Sequence, residues 1–274
     1  MHWMYDVPMG EQLDDDGDSL ESIEGCLTDA QYNRDEHRKA VIDDILDNWV
    51  SQSHNGKFHA ILATSSIPEA IKYYKLFAQR DCGLKTTAVF DPSDGNNESS
   101  IEKIDGIAQM LEDYNSLFGT CFNISGYASF KRDVCARLAH KTPYTAVENE
   151  PSKCLDILIV VDQMLTGYDS KWLNTLYMDK FYKWSNIEMI IQAFSRTNRV
   201  FNDDKPHGII RYYRRPYTMK NIIEYAFEQY SGQKPYGIFV AKLIQNLENM
   251  NAAFSDINDI FKIAGIPDFF KTSR

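Results

Sequence analysis

The run "LDILIVV" at 155–161 leaves little choice of fold. A strand with one wet face alternates apolar and polar residues. A nearly continuous aliphatic run, rich in β-branched side chains and closed by Asp162, is buried on both faces, as in a parallel sheet. Parallel strands need crossovers of a dozen or more residues, usually helical, and the flanking sequence supplies them. "FHAILATS" (58–65), "LKTTAVF" (84–90), "LNTLYMD" (173–179) and "HGIIRYY" (207–213) read as further strands. Helical periodicity runs through 31–52, 98–118 and 128–140, and through "SSIPEAIKYYKLFAQR", where Ser66 suits the N-cap and Pro68 the first turn. "TCFNISG" between two of these helices reads as a weak strand. Alternating strands and helices predict right-handed βαβ units in a three-layer α/β domain.

The ends of the chain differ from its middle. "EQLDDDGDSLESIE" (11–24) is acidic and poor in apolar residues, so 1–30 reads as a solvated, partly disordered linker. The α/β domain is expected over 31–217 and a helical region over 218–274, where "TMKNIIEYAFEQYSG", "YGIFVAKLIQNLENM" and "SDINDIFKIAG" carry helical patterns only. A formal net charge of −10 argues against a chain coated with nucleic acid but allows a local basic groove. Five cysteines without a C-x-x-C pair predict free thiols in a reducing cytoplasm and no metal site. No run of apolar residues is long enough to span a membrane, and the first twenty residues lack the pattern of a signal peptide. The expected location is cytoplasmic, with no membrane partner.

Ligands of open parallel sheets gather at the carboxyl ends of strands. "VVDQMLTGYDSK" (160–171) leaves the most buried strand, so Asp162, Thr166, Gly167 and Asp169 are expected there, in a turn able to approach a phosphate or ribose. An ordinary β–α loop, with Asp162 capping and Gly167 turning, accounts for the same residues. In "LATSSIP" (62–68), Thr64, Ser65 and Ser66 precede a helix, where they suit either an anion or plain capping. "IIQAFSRTNR" (190–199) carries Gln192, Arg196 and Arg199. These spacings of four and three put all three on one helical face, within an arc of roughly 60°, opposite an apolar back of Ile187, Ile190, Ile191 and Phe194.

Taken together, the turn has the spacing D-x4-G-x-D and the later stretch Q-x3-R-x2-R, in that order and separated by one strand. This resembles motifs V and VI of superfamily 2 helicases and translocases, in the second of their two RecA-like motor domains, with "FHAILATSSIPEA" in the place of motif IV. "LIVVDQMLTGYDSKWLNTLYMDK" followed by "MIIQAFSRTNR" is similar to the R (restriction) subunit of type I restriction enzymes over most of the chain. The resemblance implies a RecA-like, mostly parallel α/β domain followed by the start of a helical region. It implies that Arg199 is an arginine finger acting on ATP held between two motor domains, with Arg196 as its companion. Gln192, Gly167, Asp169 and Asp162 would face the nucleotide. Thr166, with Thr64, Ser65 and Ser66, would touch the DNA backbone. Many superfamily members have glycine where Ser195 stands.

Several motifs of a whole motor are missing from this sequence. "NGKF" (55–58) lacks the rest of a G-x4-G-K-[ST] phosphate loop. "RDEHRK" (34–39) is one residue short of D-E-x-H and reads as helix surface, and "PDFF" (267–270) opens no nuclease motif. The resemblance therefore implies a C-terminal piece of a larger, ATP- and magnesium-dependent translocase and endonuclease that is inert by itself. Its partners would be double-stranded DNA, the first RecA-like domain of the same polypeptide, and the methyltransferase (M) and specificity (S) subunits. Two other readings fit the residues: half of another superfamily 2 helicase motor, for repair or remodelling, and a non-catalytic α/β interaction module.

Overall fold

The computed structural model describes residues 3–5, 24, 27–80, 82–91, 100–161, 168–201, 204–231 and isolated positions between 250 and 262. Six strands form one sheet: β1 (Trp3–Tyr5), β2 (His59–Thr64), β3 (Thr86–Val89), β4 (Ile157–Val160), β5 (Leu173–Asp179) and β6 (Gly208–Tyr212). Their order is β1-β6-β5-β2-β4-β3, and every neighbouring pair is parallel. The longer helices are α1 (Asp29–Tyr32), α2 (Asp35–Gln52), α3 (Ile67–Gln79), α4 (Ser100–Phe118), α5 (Tyr127–Leu138), α6 (Ile187–Phe194) and α7 (Pro216–Ser231). Every residue of β2, β4, β5 and β6 is buried, so helices cover both faces, as the continuous apolar run required. This is an α/β fold compatible with a RecA-like domain. The weak strand expected at 120–126 is instead a short 3-10 turn, Ile124–Gly126, capped by the Asn123 side chain accepting from the Gly126 amide at 2.8 Å.

The core reaches further along the chain than expected. Met219, Ile222, Ile223 and Phe227 of α7 belong to the same apolar cluster as the sheet, and Phe227 lies 6.3 Å from the Phe194 ring of α6. The boundary placed at 217 thus falls inside a helix that packs on the α/β domain. Most of the expected linker at 1–30 lies outside the described residues, as do most of the helical patterns after 231. Two features within 1–30 are not those of a linker. Trp3–Tyr5 adds an edge strand to β6. Glu24 is buried and caps α7, accepting from the Tyr217 amide at 2.6 Å and the Thr218 amide at 2.9 Å, where a carboxylate meets the positive end of the helix dipole.

"RDEHRK" is helix surface at Arg34, Asp35, Glu36 and Lys39, which are exposed, but not at His37 and Arg38. Arg38 is 1% exposed and forks onto Glu69 of α3, with Nε to Oε2 and Nη2 to Oε1 both at 2.7 Å. His37 Nε2 meets Asp179 Oδ1, at the end of β5, at 2.7 Å. The same carboxylate accepts from Tyr73 at 2.9 Å and from Arg214 Nε and Nη2 at 2.9 and 3.0 Å. Burial pushes the Asp179 carboxyl up, and the hydrogen bonds of His37 and Arg214 more than offset this, leaving it below the usual carboxylate range. These two side chains of α2 point inward because each is matched there by a carboxylate.

Because all strands run the same way, the sheet has an amino edge, where every strand begins, and a carboxyl edge, where every strand ends.

Candidate functional site

The residues singled out from the sequence divide between the two edges. Thr64 and Ser65 mark the carboxyl end of β2, while Asp169, Arg196 and Arg199 lie where β2, β5 and β6 begin. Three contacts place the second group. The His59 amide, first in β2, donates to the Trp172 carbonyl at 3.1 Å. The Tyr168 hydroxyl meets His59 Nε2 at 3.0 Å. Lys205 Nζ, just ahead of β6, donates to the Lys171 carbonyl at 3.3 Å. The expectation that all of 160–171 gathers at carboxyl ends is therefore corrected for Asp169. β4 and β5 are parallel members of one sheet, so the chain that leaves the end of β4 must return to the opposite edge before β5 starts. Asp162, Thr166 and Gly167 lie outside the described residues.

The helix bearing the arginines is also shorter than its periodicity suggests. α6 ends at Phe194, so Arg196 and Arg199 do not continue the face that carries Gln192. The next turn is wound by tighter bonds, Arg196 amide to Ala193 carbonyl at 3.1 Å and Thr197 amide to Phe194 carbonyl at 3.2 Å. The Ser195 hydroxyl donates to the Gln192 carbonyl at 2.7 Å, and that of Thr197 to the Phe194 carbonyl at 3.1 Å. Such side-chain bonds compete with the helix ladder. Thr197 is fully buried against the first residue of β6. A Cβ on Gly208 would come within 2.3 Å of the Thr197 hydroxyl and 2.5 Å of its carbonyl oxygen. Only glycine at 208 admits this turn. The apolar back of α6 is as expected, with Ile190 and Phe194 fully buried and Ile187 and Ile191 packed on the core.

The turn delivers both arginines to residues 168–169. Arg199 Nε donates to Asp169 Oδ1 at 2.7 Å, with side chains 56% and 59% exposed. Arg196 Nη1 donates to the Tyr168 carbonyl at 3.1 Å. Gln192 stays on α6 and is exposed. Tyr168 itself is held from behind. Burial raises its hydroxyl well above the usual range and pushes the His59 imidazole well down, helped by His140 and Lys205. A neutral tyrosine therefore shares a hydrogen bond with a neutral imidazole. Phe201 is wedged nearby against Trp172 and Phe58, with ring centroids 4.6 and 5.5 Å away. Lys171 and Lys57 sit 4.7 and 5.1 Å from its ring centre, in cation–π range. This edge is cationic in a chain of net charge −10.

Beneath Arg199 lies Lys205, which sequence reasoning misses because "FNDDKPHG" reads as plain loop. It is 1% exposed, and its Nζ donates to the Arg199 carbonyl at 2.7 Å as well as to that of Lys171. Burial lowers its ammonium to about 7, and Arg199 pushes the same way. Its charged and titratable neighbours are Arg199, Lys171 and His59, with Asp204 paired to Lys57 on the outer side. An unfolded lysine titrates near pH 10.4, so between about pH 7 and 10 the unfolded chain binds more protons and stability rises with pH. The expected result is that the stability of Lys205→Met relative to the wild type falls as pH rises through that window, followed by urea denaturation. A flat difference would count against a charge buried at this position.

At the other edge, the structure removes one candidate. Thr64 is fully buried, and its hydroxyl donates to the Val160 carbonyl at 3.1 Å, joining β2 to β4, so it offers nothing to a phosphate. Ser66 caps α3, its hydroxyl oxygen accepting from the Glu69 amide at 3.4 Å, and is half-buried, while Ser65 is exposed. Among the described residues no three His, Cys, Asp or Glu side chains converge to hold a metal ion. No helix among them is long and apolar enough to cross a membrane.

The family model described as "Type I restriction enzyme subunit R domain 3" matches residues 56–215, from the turn before β2 to the turn after β6. The chain belongs to the type I restriction enzyme R subunit family. Among relatives, the SsaAORF53P endonuclease subunit of Staphylococcus saprophyticus is 32% identical over 213 residues, 74% of this chain and 22% of that one. The SauMRSORF196P endonuclease subunit of Staphylococcus aureus is 31% identical over 200 residues, 70% of this chain and 20% of that one. A shorter match to the HindI endonuclease subunit of Haemophilus influenzae is 42% identical over 60 residues, 22% of this chain and 5% of that one. The chain spans about a fifth of the R subunits that it matches over most of its length. The matched span includes Ser65, Asp169, Arg196, Arg199 and Lys205.

Proposed function

We propose that this chain is the second motor domain of an ATP-driven DNA translocase, within the R subunit of a type I restriction endonuclease. In this reading a first RecA-like domain of the same polypeptide holds ATP and magnesium. The amino edge of the present domain closes over the nucleotide. Arg199 then stabilises charge on the γ-phosphate in the transition state and Arg196 supports it. Gln192, Gly167 and Asp169 face the nucleotide, whereas Asp162, which follows the end of β4, belongs to the opposite edge. Ser65 and Ser66, at the carboxyl end of β2, meet the backbone of duplex DNA, and the whole polypeptide works with M and S subunits.

The observation that carries the reading is the pairing of Arg199 with Asp169 and of Arg196 with Tyr168, which joins the tails of the two motifs on an exposed, cationic edge. The residues suit an anionic ligand. An exposed ion pair is worth only about 0.2–1 kcal/mol, so a phosphate reaching the edge can draw Arg199 away from Asp169 at little cost. The sequence holds no G-x4-G-K-[ST] loop of its own, and the arginines need a nucleotide presented by another domain. The expected result is that this chain alone hydrolyses no ATP above background, with or without duplex DNA. Clear turnover would overturn the division of labour.

A further inference from the structure

We infer that Lys205 is a positioning residue for Arg199, a step that rests on the reading of Arg199 as an arginine finger. Two backbone segments must be held in register for the Asp169–Arg199 corner to exist, 168–171 ahead of β5 and 195–199 ahead of β6. On the outer side they are linked by the exposed ion pair, which gives way when a phosphate arrives, and by the Arg196 Nη1 bond to the Tyr168 carbonyl at 3.1 Å. Their inner link is Lys205, whose single ammonium donates to the carbonyl of Arg199 at 2.7 Å and to that of Lys171 at 3.3 Å. It is nearly inaccessible to water, so both bonds persist when the outer pair is exchanged.

The rest of its surroundings hold Lys205 still. Phe201 and Lys205 form an antiparallel bridge, amide to carbonyl in both directions, at 3.0 and 3.1 Å. This folds the chain after Arg199 back on itself. Phe201 is in turn wedged among Trp172, Phe58, Lys57 and Lys171, and Asp204, beside Lys205, pairs with Lys57 at 2.5 Å. The Arg199 side chain can thus change partners while its Cα is fixed by a buried lysine six residues on. A neutral amine and an ammonium both donate, so a lowered proton affinity does not undo the clamp. An apolar residue would undo it.

The test is single-turnover ATP hydrolysis by the full R subunit with DNA, comparing wild type, Lys205→Met, Arg199→Ala and the double variant. A misplacement of about 1 Å at a reacting group costs on the order of 10²-fold. The expected result is a loss of that order in kcat for Lys205→Met, with KM for ATP little changed. In the Arg199→Ala background, Lys205→Met should cost less than about threefold, since residues that act as one unit are non-additive. Equal losses in both backgrounds would overturn the inference, because a lysine needed only for folding lowers activity whether or not Arg199 is present. No loss in the wild-type background would overturn it as well. If Arg199→Ala itself were nearly silent, the finger reading would fall first and the positioning role with it.

Discussion

Replacing Arg199 with alanine in the whole R subunit is expected to cut DNA-stimulated ATP hydrolysis by about 10³-fold or more, the range over which arginine fingers act. The size follows from when the guanidinium matters. In the ground state it has an alternative partner, Asp169, at 2.7 Å in an exposed pair, so its removal takes little from ATP binding or from folding. On the proposed reading, charge builds on the phosphate in the transition state inside a closed, poorly hydrated cleft, where a fixed guanidinium is worth far more than in water. The loss should therefore fall on kcat and leave KM nearly unchanged. Steady-state hydrolysis at saturating DNA, over a range of ATP, separates the two. A loss of kcat under about tenfold would remove Arg199 from the transition state.

The largest expected effect on stability is at the far edge of the sheet. Asp179→Asn keeps the shape of a fully buried side chain but removes the charge that answers Arg214, His37 and Tyr73. Breaking a buried pair by neutralising one partner costs about 3–5 kcal/mol, against total stabilities of roughly 5–15 kcal/mol for a domain. The carboxyl is depressed in the folded state, so its contribution is complete above the unfolded value near pH 4 and is lost as pH falls through the lower folded value. The variant should thus differ most from wild type at neutral pH and converge with it in acid. Urea midpoints at several pH values would show this, and a deficit under about 1 kcal/mol at neutrality would mean that the cluster tolerates the missing charge.

The strands are legible in the sequence because each is buried on both faces, and a continuous run such as Ile157–Val160 reports that condition directly. The two motifs are legible too, since the spacing within each is local, whereas the contact between them spans 30 residues and is not. What cannot be read depends on contacts between distant parts of the chain. The 3.6-residue rhythm runs on through Arg196 and Arg199. The helix stops at Phe194 because Thr197 must seat on Gly208, and no periodicity records that. Arg38 and His37 look solvated because the groups that match them, Glu69 and Asp179, are 31 and 142 residues away. Thr64 looks available because its acceptor lies on β4, 96 residues on. A local reading puts Asp169 at the wrong edge because strand order decides which edge a long connection ends on, and order is a property of the sheet.

β2 runs from His59, which steadies Tyr168 beside the arginine corner, to Thr64, next to Ser65. Its six residues separate those groups by roughly 17 Å at about 3.3 Å per residue, within a sheet whose strands are buried throughout. On the proposed reading, chemistry happens at one end of this plate and traction at the other. On that reading the plate would act as a rocker: a tilt forced on it where the phosphate is lost would reappear as displacement where the DNA is held.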